Sequence, residues 1–133
     1  MSRNNLQLYV HLVFVTKYRD YLINDRVENQ LHQFLWNKSI ELNITPLMIN
    51  GMQDHVHLLL KIPATITIAS LVKNLKAPSS RYLNEITKSN YFEWSRGYGA
   101  FTVSKKDVNL IAQYIKNQKD HHQKGTVNVD LEN

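Results

Sequence analysis

No cysteine occurs among the 133 residues. Disulfides, zinc–thiolate sites and thiol nucleophiles are therefore excluded, and any metal must be held by His, Asp, Glu, Asn or Gln. Nor is there an apolar run of the roughly 20 residues that a bilayer-crossing helix needs. A His-Glu-x-x-His motif is missing, which excludes a zinc hydrolase of that kind. Low-complexity linkers, internal repeats and shifts in composition are absent too. The opening stretch MSRNNLQLYVHLVFVTKYR shows no cleavage-site pattern and alternates like a strand, so it is expected to be mature structure and not a signal peptide. A soluble, cytoplasmic protein is the expectation.

Hydrophobic residues make up 43% of the chain, enough for one domain with a real core. The expectation is a single domain over 1–133 with a polar tail from about residue 125. The formal charge of +5 suits a polyanionic partner. Leu6 to Thr16 is rich in Val, Leu, Tyr and Phe and reads as a strand. Asn24 or Asp25 can cap a following helix, and Asp25 with Glu28 has capping-box spacing. Val27, Leu31, Phe34, Leu35 and Leu42 make its apolar stripe, and Asn43 ends it. ITPLMING and HVHLLLKI read as two strands joined in a hairpin around Gly51 to Asp54. A short helix follows from TITIASLVKNLKA. Pro78 is expected to break it, with Ser79 capping a further helix. A strand from about Tyr98 to Val103 and a final amphipathic helix close the chain. The order β-α-β-β-α-α-β-α favours an α+β fold: an antiparallel sheet with helices packed on it, of ferredoxin-like type.

GMQDHVHLLLKIP, Gly51 to Pro63, holds the first chemical signal. Side chains alternate along a strand, so Val56, Leu58, Leu60 and Ile62 share one face while His55, His57, Leu59 and Lys61 share the other. Two imidazoles pointing the same way are either an accident of a half-exposed sheet or the start of a metal site. In the final helix Tyr114 and Gln118 are four residues apart and share a face. Two imidazoles and one amide oxygen give a divalent cation three ligands with positions left open for a phosphodiester oxygen. A nearby tyrosine hydroxyl can act as a nucleophile. Asp54 is either an acceptor that orients a ligand histidine or a turn residue. His11 and His32 read as structural or surface residues. His121 and His122 read as solvent-facing.

The tripeptide His55-Val56-His57 resembles the histidine-hydrophobic-histidine (HUH) motif, and YIKNQ, Tyr114 to Gln118, resembles the tyrosine-x-x-x-glutamine motif of the single-tyrosine HUH transposases. These enzymes move small bacterial insertion sequences as single-stranded DNA. YVHLVFVTKYR, DHVHLLLKIP, LVKNLKAPSSRYL and WSRGYGAFTVS are similar to that family in the same order, from about Leu6 to Gln118. One departure is Gln53, where the family often has proline; it is expected to affect the hairpin turn and not the chemistry. The resemblance implies an HUH-type α+β fold and a divalent metal, Mg2+ or Mn2+, bound by His55, His57 and Gln118. It implies a single-strand DNA endonuclease and strand transferase with Tyr114 as nucleophile, forming a 5′-phosphotyrosine. It also implies a homodimer, with the tyrosine helix of one subunit completing the site of the other, and single-stranded DNA with hairpin ends as partner. Two other functions fit the same residues: a host-adopted relative acting on chromosomal hairpin repeats, and a non-catalytic ferredoxin-like nucleic-acid-binding module. A water-using phosphodiesterase is a further possibility.

A polyanion requires cationic contacts. Lys17, Tyr18 and Arg19 just past the first strand, Arg81 in the middle, and Lys105 and Lys106 before the last helix are the candidate DNA contacts. Lys73, Lys76 and Arg96 are further cations. Tyr18, Tyr82, Phe92, Trp94 and Tyr98 are candidate surfaces for stacking on unpaired bases.

Overall fold

A computed structural model describes residues 5–120. The chain runs β1 (Tyr9–Val15), α1 (Glu28–Glu41), β2 (Thr45–Met52), β3 (His55–Lys61), α2 (Ile68–Thr87), β4 (Gly99–Val103) and α3 (Val108–Lys116), with short 3-10 turns at Lys17–Arg19 and Lys105–Asp107. The four strands form one sheet in the order β2-β3-β1-β4, and every pairing is antiparallel. This is the α+β architecture expected from the element order, with β1 and β3 central.

The period-two pattern of the strands decides the layers. Val10, Leu12 and Phe14 of β1 and Val56, Leu58 and Leu60 of β3 face one side, where Leu31 and Leu35 of α1 and Leu71, Val72, Leu75 and Leu83 of α2 cover them. The other face of β3 carries Leu59, which packs with Val103 and with Ile115 of α3. Both faces are thus covered, and β3 is buried along almost its whole length. His55 and His57 lie on the α3 side, as the alternation requires.

Gly51 of β2 pairs with Val56 of β3 and leaves no room for a side chain. A Cβ there would lie 2.2 Å from the His55 carbonyl oxygen and 2.8 Å from the Val56 Cα, closer than any side chain tolerates. Asn43 takes a left-handed conformation with φ 67°, which its short polar side chain tolerates, and ends α1 where the sequence placed the stop.

Three expectations about the elements are corrected. Pro78 does not break its helix; α2 runs through it for 20 residues. Ser79 is accordingly not a cap but a buried hydroxyl that donates to the Lys76 carbonyl at 3.0 Å and accepts from the Trp94 indole at 3.0 Å. The Asp25–Glu28 capping box does not form either. Val27 sits at the N-cap with no side-chain bond, while Asn24 Oδ1 accepts the Arg26 N–H in a local turn. The final helix also stops earlier than its periodicity suggests: α3 ends at Lys116, Asn117 leaves helical geometry, and Gln118 begins another helical turn. His121, His122 and the polar tail lie outside the described residues.

Candidate active site

The site is assembled on the α3 face of the sheet from three stretches far apart in sequence. β3 presents His55 and His57, whose rings meet edge to face with centroids 5.2 Å apart. α3 presents Tyr114, with its ring edge-on to His57 at 6.1 Å and its side chain packed into the cluster around Leu59, Val103 and Ile115. Just beyond α3, the Gln118 amide oxygen lies 3.1 Å from His55 Nε2. Both histidines and Gln118 are buried.

Both imidazoles are held through Nδ1. The Asp54 carboxylate lies 2.7 Å from His55 Nδ1 and accepts its N–H, so the second of the two readings of Asp54, a mere turn residue, gives way to a positioning role. Arg19 donates to the other oxygen of Asp54 at 3.1 Å. Burial pushes the Asp54 pKa up, but the hydrogen bonds and charges of His55 and Arg19 together outweigh it and hold the carboxyl below its ordinary value. His57 Nδ1 lies 2.7 Å from Nε2 of His11, which is fully buried on β1.

This donor set fits a divalent metal. With Nδ1–H of His55 given to Asp54, Nε2 keeps its lone pair, and that lone pair faces an amide oxygen. That Nε2 and the Gln118 amide lie 3.1 Å apart, so the two side chains are placed to serve one divalent cation together. Among the described residues no group of three or more His, Asp or Glu is gathered for a metal, here or elsewhere, so a third ligand at this site would have to be the Gln118 amide.

Gln118 is held in place by contacts that the sequence did not flag. The Asn50 side chain of β2 donates to the Lys116 carbonyl at the end of α3 at 2.9 Å. Lys119 Nζ pairs with Glu28 of α1 at 2.9 Å and donates to Asn50 Oδ1 and to the Gly51 carbonyl, each at 3.2 Å. The turn at Gln53 and Asp54 is clasped from the other side: Ile23 N–H donates to the Gln53 carbonyl and Thr16 N–H to the Asp54 carbonyl, both at 2.9 Å. A proline in place of Gln53 would offer the same carbonyl.

The candidate DNA contacts divide. Tyr18 is 83% exposed and, with Arg19, holds a left-handed backbone at the rim next to Asp54. Lys17 is at the surface in an ion pair with Glu93 at 2.8 Å, which raises its pKa. Arg81, Lys105 and Lys106 are exposed, the last two immediately before the tyrosine helix. Lys76 is not a DNA contact: it is partly buried and donates to the carbonyls of Ser95 and Gly97 at 2.6 and 2.9 Å, clamping the segment before β4. Phe92 and Trp94 are not stacking surfaces, because both are buried in the core beside Phe14. Tyr82 is stacked on Phe34. Tyr98 keeps an exposed ring, as does Tyr21.

Of the two expectations for His11, structural or surface, the buried one holds, and its ring touches His57 directly. The available signal was its place in the first strand, on the face opposite to Leu12 and Phe14, where a histidine among Val, Leu and Phe requires a polar partner.

Comparison with known proteins gives the family. Residues 4–118 match the family model described as "Transposase IS200 like". The chain is 30% identical over 122 residues to the ISDra2 transposase TnpA of Deinococcus radiodurans, covering 86% of each chain. It is 31% identical over 121 residues to the transposase for insertion sequence element IS200 of Salmonella typhimurium, covering 86% of this chain and 79% of that one. Among solved structures, a candidate transposase from Deinococcus radiodurans R1 superposes with a TM-score of 0.70 at 29% identity, over 89% of this chain and 98% of its own. A REP-associated tyrosine transposase bound to a REP hairpin shares the fold, with a TM-score of 0.62 at 13% identity over 96% and 76% of the two chains. With a site of two histidines, a tyrosine and a glutamine gathered on one sheet face, and with the family match spanning nearly all of the described residues, this chain belongs to the IS200-like transposase family.

Proposed function

We propose that the chain cleaves and rejoins single-stranded DNA at the ends of an insertion sequence through a 5′-phosphotyrosine at Tyr114. The observation that carries this reading is the convergence of Tyr114 and Gln118 on His55 and His57, residues that the sequence separates by about 60 positions. A single-stranded hairpin end is the proposed substrate. His55 Nε2, His57 Nε2 and Gln118 Oε1 would hold a divalent cation, Mg2+ or Mn2+. When bound, it supplies Lewis-acid polarisation of a phosphodiester oxygen.

The chain's own residues do the rest. Tyr114 is fixed by packing on Leu59, Val103 and Ile115 and by the edge of His57, which restricts its ring before substrate arrives. Its oxygen attacks phosphorus, forming an O–P bond and breaking the bond from phosphorus to the 3′-oxygen. The phenolic proton is lost to solvent, and the departing 3′-oxygen takes up one to become a free hydroxyl. In the second half another 3′-hydroxyl attacks the phosphotyrosine, restoring a phosphodiester and the phenol. One ester bond is exchanged for another, so no nucleotide triphosphate is consumed. Lys17, Tyr18, Arg19, Arg81, Lys105 and Lys106 are proposed to hold the strand. The working unit is proposed to be a homodimer, in which α3 and Gln118 of one subunit can complete the histidine pair of the other.

The test is an adduct assay. Single-stranded DNA carrying the element end is incubated with the protein and Mg2+ or Mn2+ and run on a denaturing gel. A slow band is expected that vanishes with EDTA and in Tyr114→Phe, with DNA binding by the variant within about threefold of wild type. Cleavage without an adduct would mean a water-using nuclease, and tight binding with no reaction a non-catalytic module.

A further inference from the structure

His11 sits on β1 diagonally across from His57 on β3, with no exposed surface. Its Nε2 is 2.7 Å from His57 Nδ1, and the two rings lie nearly parallel, at 30° with centroids 5.0 Å apart. Phe101 of β4 flanks the other side of His11 at 5.6 Å. A hydrogen bond between two neutral imidazoles has one donor and one acceptor, so it selects the tautomer of both rings. If His11 donates, His57 accepts at Nδ1 and carries its proton on Nε2, where it cannot coordinate. If His57 donates from Nδ1, its Nε2 keeps a lone pair on the side of the ring away from β1.

We infer that His11 is a positioning residue for the metal site: it accepts the Nδ1–H of His57 and so keeps the His57 Nε2 lone pair available for a divalent cation. The neighbouring ligand shows the same arrangement, with Asp54 accepting from His55 Nδ1. One histidine of the pair is thus oriented by a carboxylate from the hairpin turn and the other by a neutral imidazole from the adjacent strand. A neutral acceptor at a buried position avoids placing a second carboxylate in the interior, where an ionised group is costly. The inference rests on the metal-site reading of His55, His57 and Gln118.

Two measurements test it. In metal-free protein, long-range proton–nitrogen correlation NMR of the histidine side chains is expected to show His57 as the Nδ1–H tautomer. An Nε2–H tautomer would overturn the assignment. Mn2+ affinity, read from the free-ion signal in electron paramagnetic resonance, is expected to fall about 10–100-fold in His11→Leu. It should return to within a few fold of wild type in His11→Gln, whose amide oxygen can reach the same Nδ1–H. Thermal melting of both variants checks folding, and if His11→Leu does not fold, the wild-type tautomer and the His11→Gln affinity decide the matter. Equal Mn2+ binding by wild type and His11→Leu, with His55→Ala abolishing it, would sink the role of His11 alone. No Mn2+ binding by wild type would sink the metal site and the inference together.

Discussion

At the scale of single residues, histidines of one sequence differ in what their surroundings make of them. His32 on α1 lies half-buried beside Glu28 and Lys119, with its Nε2 buried and unbonded among the described residues. Burial lowers its pKa from 6.5 to about 4, Glu28 opposes this, and the Lys119 charge adds to the lowering. The unfolded chain therefore takes up a proton near pH 6.5 that the folded chain refuses until about pH 4. Between those values the unfolded state binds more protons, so stability is full above pH 6.5 and falls as the pH drops, by up to about 3 kcal/mol over the window. Urea unfolding at several pH values should show this loss in wild type and a flatter profile in His32→Gln; identical profiles would assign the acid sensitivity to other groups. Of the histidines, His55 and His57 were legible because alternation puts i and i+2 on one face. The role of His11 was not, because its partner is 46 residues away and is chosen by strand pairing.

At the scale of elements, α2 shows what packing can override. Proline lacks the N–H that an interior turn uses and crowds the preceding carbonyls, a cost of about 3 kcal/mol in an isolated helix. Yet Leu71, Val72 and Leu75 before Pro78 and Ser79 and Leu83 after it lie on one continuous buried stripe, which only an unbroken helix can present to the sheet. Ser79 reinforces the middle by accepting the buried Trp94 N–H. Ser79→Ala should cost about 1–3 kcal/mol, because the indole N–H is left without an acceptor. Adding Trp94→Phe should cost less in that background than in wild type, and urea unfolding of the four-member cycle reads the coupling. Strict additivity would show that this bond is unimportant. Period and composition suffice to place the strands and the body of α1. They do not suffice at Pro78, since the local rule knows nothing of the sheet beneath.

At the scale of the whole molecule, β4 is the open edge of the sheet next to central β1, and β2 is the other edge. A shallow apolar groove of about 350 Å3 runs beside β4, lined in part by Leu8, Tyr9, Ile62, Ile68 and Phe101. An uncapped edge with apolar surroundings is a template for pairing with another strand. The proposed homodimer is therefore expected to use this edge. Sedimentation at micromolar concentration should give twice the chain mass. Proline placed separately at Ala100 and Phe101, whose N–H groups point in opposite directions along the strand, should give a monomer at one of the two positions. A wild-type monomer, or a dimer untouched by both substitutions, would point to a different assembly. Among the described residues, no helix is long and apolar enough to cross a membrane.

The sequence by itself determined the α+β class, the two faces of β3, the end of α1 at Asn43 and the pairing of His55 with His57. Each of these follows from a short-range period or from one residue's own conformational preference. The family resemblance already grouped Gln118 with those histidines, and only the tertiary structure decided what holds the group. Asn50 and Lys119 clasp the chain beside Gln118, Asp54 accepts from His55, and His11 reaches His57 from the adjacent strand. It also decided that Trp94 and Phe92 fill the core while Tyr18 stands in solvent. The physical reason is the same in each case. Burial and hydrogen-bond partnership are properties of where the sheet order β2-β3-β1-β4 and its register bring side chains together, and neither is encoded within a single element.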